Sequence, residues 1–174
     1  MKMNDKRNAL FDADVLIHFA KANKLSLLKK LFPEYKLCVF DIVVKEIKYP
    51  QLLIDFITTG NEFEIWQFDN VSDEVYYENF RIKKELKIGD GEASCLAYGR
   101  YHRNCLIISS NTKDIFSYCK DNNITSMGTH DCLDKAYNEN LLTQECCNEF
   151  IKIVFQKRSI LAFRSMDEYW HSKK

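Results

Sequence analysis

The carboxylates Asp12, Asp14, Glu46, Asp90, Glu92, Asp114 and Asp131 are the side chains whose type and spacing could do chemistry here. Each follows a short apolar run or opens a helical pattern. Several carboxylates brought together repel one another, so such a cluster needs something positive to fill it. A hard divalent cation with oxygen ligands, Mg²⁺ or Mn²⁺, fits that need. Such an ion lowers the pKa of bound water and stabilises charge on a phosphodiester oxygen. Taken singly, Asp14, Asp41, Asp90, Asp114 and Asp131 also read as helix caps or first-turn acids favoured by the helix dipole. Glu46 reads as a mid-helix acid among Val43, Val44 and Ile47, where a carboxylate needs a partner.

Other chemistry is less well supported. His18, His102, His130 and His171 form no zinc-binding spacing. His130 lies nearest the acids and reads either as a surface-loop residue or as a contact to substrate. Ser109 and Ser110 lack the glycines of a nucleophile elbow. Ser110 or Thr112 could cap a helix. Gly89-Asp90-Gly91 is too short for a phosphate-binding fingerprint. Lys45, Lys48, Lys87 and Lys113 stand near the acids and are the candidates for phosphate contact. Arg81, Lys83 and Lys84 read as the solvated face of a charged helix. The seven cysteines contain no C-x-x-C pair and are odd in number. They fit free thiols in a reducing cytoplasm, mostly as small core residues.

These side chains must be positioned by alternating elements. Short apolar runs at Asn8 to Phe11, Lys36 to Phe40, Phe63 to Phe68, Cys105 to Ser109 and Ile124 to Ser126 read as strands. Helical patterns cover Val15 to Phe32, Ile42 to Tyr49, Leu52 to Thr58, Ser72 to Leu86, Glu92 to His102, Thr112 to Lys120, Thr129 to Asn138 and Thr143 to Gln156. Asp41 reads as the N-cap of the second. This alternation predicts α/β architecture: three layers, α/β/α, around a central parallel sheet. Ligands of such sheets bind beyond the carboxyl ends of the strands, where the acids fall.

The motifs resemble those of PIN-domain nucleases. Leu10-Phe11-Asp12-Ala13-Asp14-Val15-Leu16-Ile17 looks like their opening strand motif, and Val43-Val44-Lys45-Glu46-Ile47 like their second. Gly89-Asp90-Gly91-Glu92-Ala93 is similar to the third, Ile107 to Ile115 to the fourth, and Gly128-Thr129-His130-Asp131 to the closing one. The resemblance runs from about residue 8 to 156 and implies a Mg²⁺- or Mn²⁺-dependent endoribonuclease. It carries the catalytic acids over as Asp12, Glu46 and Glu92. At the usual fourth acidic position this chain has Thr112, with Asp114 two residues on. Asp114 is the expected replacement and Asp131 a further metal ligand. Asp14, Asp90, Ser110, Thr112 and His130 are expected to assist. Many small relatives are toxins masked by a small antitoxin protein, often as homodimers. The other reading is a catalytically degenerate PIN domain that binds RNA or protein without cutting. A phospho-acceptor module fits worse, because no Lys follows Ile124 to Ser126.

At 174 residues the chain is one domain's worth of sequence. We expect a PIN-like domain over residues 1–156 and a C-terminal extension over 157–174, packed on it or binding a partner. Lys plus Arg and Asp plus Glu are 25 each. That balance argues against a generic polyanion binder, though not against a local basic patch. No run of apolar residues is long enough to span a membrane, and Met1 to Arg7 lacks signal-peptide character. A cytoplasmic location is the expectation.

Overall fold

The computed structural model of the chain describes residues 7–174, covering the backbone but not the side chains of residues 112–114. Five strands form one all-parallel sheet in the order β3-β2-β1-β4-β5. They are β1 (Arg7–Phe11), β2 (Tyr35–Phe40), β3 (Phe63–Trp66), β4 (Cys105–Ile108) and β5 (Thr125–Met127). Helices α1 (Ala13–Lys21), α2 (Leu25–Leu31), α3 (Asp41–Glu46) and α4 (Gln51–Thr59) connect the first three strands. Helices α5 (Asp73–Leu86) and α6 (Asp90–Tyr101) precede β4, and α7 (Thr112–Asp121) links β4 to β5. Helices α8 (Thr129–Asn138), α9 (Gln144–Gln156) and α10 (Met166–Ser172) close the chain. The α/β expectation holds.

Parallel strands are buried on both faces and so read as continuous apolar runs. In β4, Cys105, Leu106, Ile107 and Ile108 are all buried. Phe11 at the end of β1 packs edge-to-face on Phe63 and Phe32, at centroid distances of 5.3 and 5.9 Å. Helix α6 lies close to β4 because Gly99 has no side chain. A Cβ there would stand 3.0 Å from the Ile107 side chain. Six of the seven cysteines are buried and all are free.

Local chemistry moved several boundaries. The pattern over Val15 to Phe32 is two helices, not one. It breaks at Asn23, whose left-handed φ of 56° asparagine tolerates. The Lys24 N–H returns to the Phe19 carbonyl at 2.8 Å and closes α1. The helix expected over Ile42 to Tyr49 stops at Glu46, because Ile47 is extended. Asp41 is not the N-cap of α3. It is the first helical residue, and its carboxylate accepts the Phe68 N–H at 2.9 Å. The third strand ends at Trp66, and Phe68–Asn70 form a 3₁₀ turn instead.

Two devices tie the helical layers. Buried Glu78 on α5 accepts from Arg81, from Arg100 on α6 at 2.5 Å, and from the Tyr118 hydroxyl on α7. Burial opposes its charge, but these hydrogen bonds win and hold it down to about 2. At the other end, Lys21 donates to the Lys157 carbonyl at 2.8 Å, and Lys157 donates to the Lys21 carbonyl at 2.5 Å. Each lysine thereby serves the last carbonyls of the other's helix.

The segment after Lys157, which has no clear period in sequence, contains α10. Ser165 caps it by accepting the Glu168 N–H at 3.2 Å. Trp170 donates to Asp134 at 2.7 Å and the Tyr169 hydroxyl to Asp131 at 2.5 Å, which seats α10 on α8.

Candidate active site

The strand order reverses between β1 and β4. The chain winds outward from β1 through β2 to β3, then returns to lay β4 against the other side of β1. A crevice opens at such a switch point, beyond the carboxyl ends of the two strands. The register pairs Phe11 with Ile108, so the next residues, Asp12 and Ser109, flank that crevice. The Asp12 N–H extends the ladder to the Ile108 carbonyl at 2.9 Å.

Asp12 is 5% exposed, Glu92 8% and Ser109 1%. The Ser109 hydroxyl lies 3.3 Å from Asp12 Oδ2 and 3.0 Å from Glu92 Oε1. The Asn111 amide donates to the other Glu92 oxygen at 3.1 Å. Glu92 sits in the first turn of α6, whose N-terminal dipole end favours negative charge. Burial first, then the charges of Glu92, Asp14 and Glu46, push the Asp12 carboxyl up to about 8. This environment favours the protonated form of Asp12. Ser109 has one proton to give, and the count closes if Asp12 donates to Ser109 and Ser109 donates to Glu92.

Glu46 reaches this group from the end of α3. It is not mid-helix, as the sequence suggests, but the last helical residue and exposed. Its Oε1 accepts the Gly91 N–H at 3.0 Å. Gly91 must be glycine for this approach, since a Cβ there would stand 2.6 Å from Glu46 Oε2 and 2.9 Å from Val43 Cγ2. The glycine before Glu92 thus makes room for the second acid motif.

A PIN-domain family model matches residues 8–163. The chain belongs to the PIN-domain family. No curated protein matches its sequence. The family is generally one of nucleases that use divalent metals, and the match spans every element of this sheet and the crevice at its switch point.

The PIN domain distributes the remaining candidates unequally. Asp131 has both oxygens engaged. Oδ2 accepts the Gly128 N–H at 2.7 Å, closing a capping box, while Oδ1 takes Tyr169 and Lys173. These donors outweigh burial and lower its pKa. Asp90 is exposed and paired with Lys83. Asp14 is exposed on α1. His130 is no surface-loop residue. It is buried in α8, bonded to the Phe163 carbonyl at 3.0 Å and stacked on Tyr169. Ser110 does not cap α7, whose N-cap is Asn111. Its hydroxyl meets Thr129 at 3.0 Å and His18 at 3.3 Å. Lys45 is spent on Asp41 at 2.6 Å, while Lys48 and Lys87 are exposed. The side chains of Thr112, Lys113 and Asp114 lie outside the described residues.

The donor set suits a hard cation. Asp12, Glu92 and Glu46 offer carboxylate oxygens and Ser109 a hydroxyl, and the charges of Glu92 and Glu46 act against ionisation of Asp12. Among the described residues no group of three or more His, Cys, Asp or Glu side chains closes to metal-binding distance. Sequence reasoning passed over two residues of the site, Ser109 as its hydrogen-bonding centre and Asn111. The signal for Ser109 was its place directly after the most apolar strand.

Proposed function

We propose that this PIN domain is a Mg²⁺- or Mn²⁺-dependent endoribonuclease that hydrolyses RNA phosphodiester bonds. The observation that carries the reading is Asp12. A carboxyl is held almost out of water beside two further acids, at the crevice where such sheets bind ligands. Asp12, Glu92 and Glu46 would hold the cation, with Asp114 as the expected fourth. The bound ion would supply positive charge to the phosphodiester oxygens and lower the pKa of water. Ser109 and Asn111 orient Glu92. Exposed Lys48 and Lys87 would meet substrate phosphates. RNA as substrate, a toxin role with a small antitoxin, and a homodimer follow from the family resemblance. A cytoplasmic location is supported by seven free cysteines. No helix of the described residues is long and apolar enough to cross a membrane.

A second reading, a degenerate domain that binds RNA or protein without cutting, is favoured by the uncharged Ser109 at the centre of the site. Labelled single-stranded RNA incubated with the protein in Mn²⁺, Mg²⁺ or EDTA separates the two. The nuclease reading expects cleavage that needs the cation and is absent from Asp12→Asn and Glu92→Gln. Cleavage that survives both variants, or no cleavage of any RNA tested, would refute it.

A further inference from the structure

The residue facing Asp12 across the switch point is Ser109. The register makes this unambiguous: β1 and β4 are paired neighbours, and Asp12 and Ser109 are the first residue beyond each. Backbone bonds on both sides lock Ser109 there. The Asp12 N–H binds the Ile108 carbonyl, and the Ser109 N–H binds the Met127 carbonyl of β5 at 3.0 Å. The side chain cannot turn outward, being 1% exposed. Its oxygen touches both buried acids at 3.3 and 3.0 Å.

We propose that Ser109 is the positioning residue that sets the strength of this cation site. Its hydroxyl aims Asp12 and Glu92 at a shared point, yet it contributes no charge where a carboxylate would face both. This rests on the nuclease reading only for the identity of the ion. Partners that orient ligating side chains typically account for 10–100-fold in ion affinity. Ligand charge count sets affinity further, because each added carboxylate strengthens attraction for a divalent ion. Threonine keeps the hydroxyl, alanine removes it, and asparagine imitates the size of aspartate without its charge.

Mn²⁺ itself is the probe, its binding to the full-length protein followed by electron paramagnetic resonance of the free ion. Ser109→Ala should bind Mn²⁺ about tenfold more weakly than wild type, and Ser109→Thr should restore binding. Ser109→Asp should bind at least about tenfold more tightly than Ser109→Asn. Melting in EDTA checks that each variant is folded, and a purely structural serine would change melting alone. If wild type binds no Mn²⁺ while Ser109→Asp does, the inference stands and the nuclease reading falls. Ser109→Ala binding as wild type does, or Ser109→Asp binding no better than Ser109→Asn, would overturn the inference.

Discussion

Replacing Asp12 by asparagine should stabilise this protein at high pH and disable it in every other respect. The Asp12 carboxyl is pushed from 3.8 up to about 8, chiefly by burial and then by Glu92. Between those values the folded chain holds a proton that the unfolded chain has lost, so stability falls as pH rises through that window. The cost is small at pH 4 and grows by about 1.4 kcal/mol per pH unit, to a ceiling of about 6 kcal/mol above pH 8. Asparagine resembles the protonated acid. Its amide can donate to Ser109, and its oxygen can still accept the Ala13 N–H that Asp12 uses. At pH 8.5 Asp12→Asn should therefore melt higher than wild type by roughly 12–24 °C, for a domain of this size. At pH 4.5 the two should nearly coincide. His18, lowered to about 4 by burial, also titrates below pH 6.5, but it does so in both proteins and cancels in the difference. Saturating Mn²⁺ at pH 8.5 should raise wild type by about 3 kcal/mol at one hundred times the dissociation constant and leave Asp12→Asn unmoved. Differential scanning calorimetry over pH 4.5–8.5 measures all of this. A melting difference independent of pH would refute the claim that Asp12 is held against its charge.

Glu78→Gln should cost about 2–3 kcal/mol at pH 7 in urea unfolding. Its pKa is lowered to about 2, so this stabilisation is present above pH 4.5 and lost as pH falls toward 2. Gly91→Ala should cost about 1–3 kcal/mol and abolish cation-dependent cleavage, because the new methyl displaces Glu46 and Val43. Cleavage at the wild-type rate would show that Glu46 need not approach Gly91. Tyr169→Phe should lower stability by about 1–2 kcal/mol without altering Mn²⁺ affinity, since Asp131 is held by donors rather than turned to the crevice. A weaker Mn²⁺ titration in Asp131→Asn would make Asp131 a ligand instead. Asp114→Asn should abolish RNA cleavage as fully as Asp12→Asn if it supplies the fourth charge. As a mere first-turn acid it would cost only about 0.3–1 kcal/mol and leave cleavage intact.

The five strands, their parallel pairing and the edge that gathers the acids were legible in the sequence. Strands buried on both faces leave continuous apolar runs, and the parallel crossovers demand helices between them. Asp12 and Glu92 could be named for the same reason, each being tied to the end or start of such an element. Three features depend on distances that no local pattern encodes. Asp131 looks like any acid near the site until α10, which has no clear period in sequence, brings Tyr169 and Lys173 onto it. His130 reads as a loop residue until Phe163 and Tyr169 close over it. Ser109 reads as the polar end of a strand, and only the pairing of β1 with β4, nearly a hundred residues apart, sets its hydroxyl between two carboxylates. Local sequence dictates which elements form and where their polar ends fall. Which ends meet is decided by strand order, and strand order comes from packing the whole core at once.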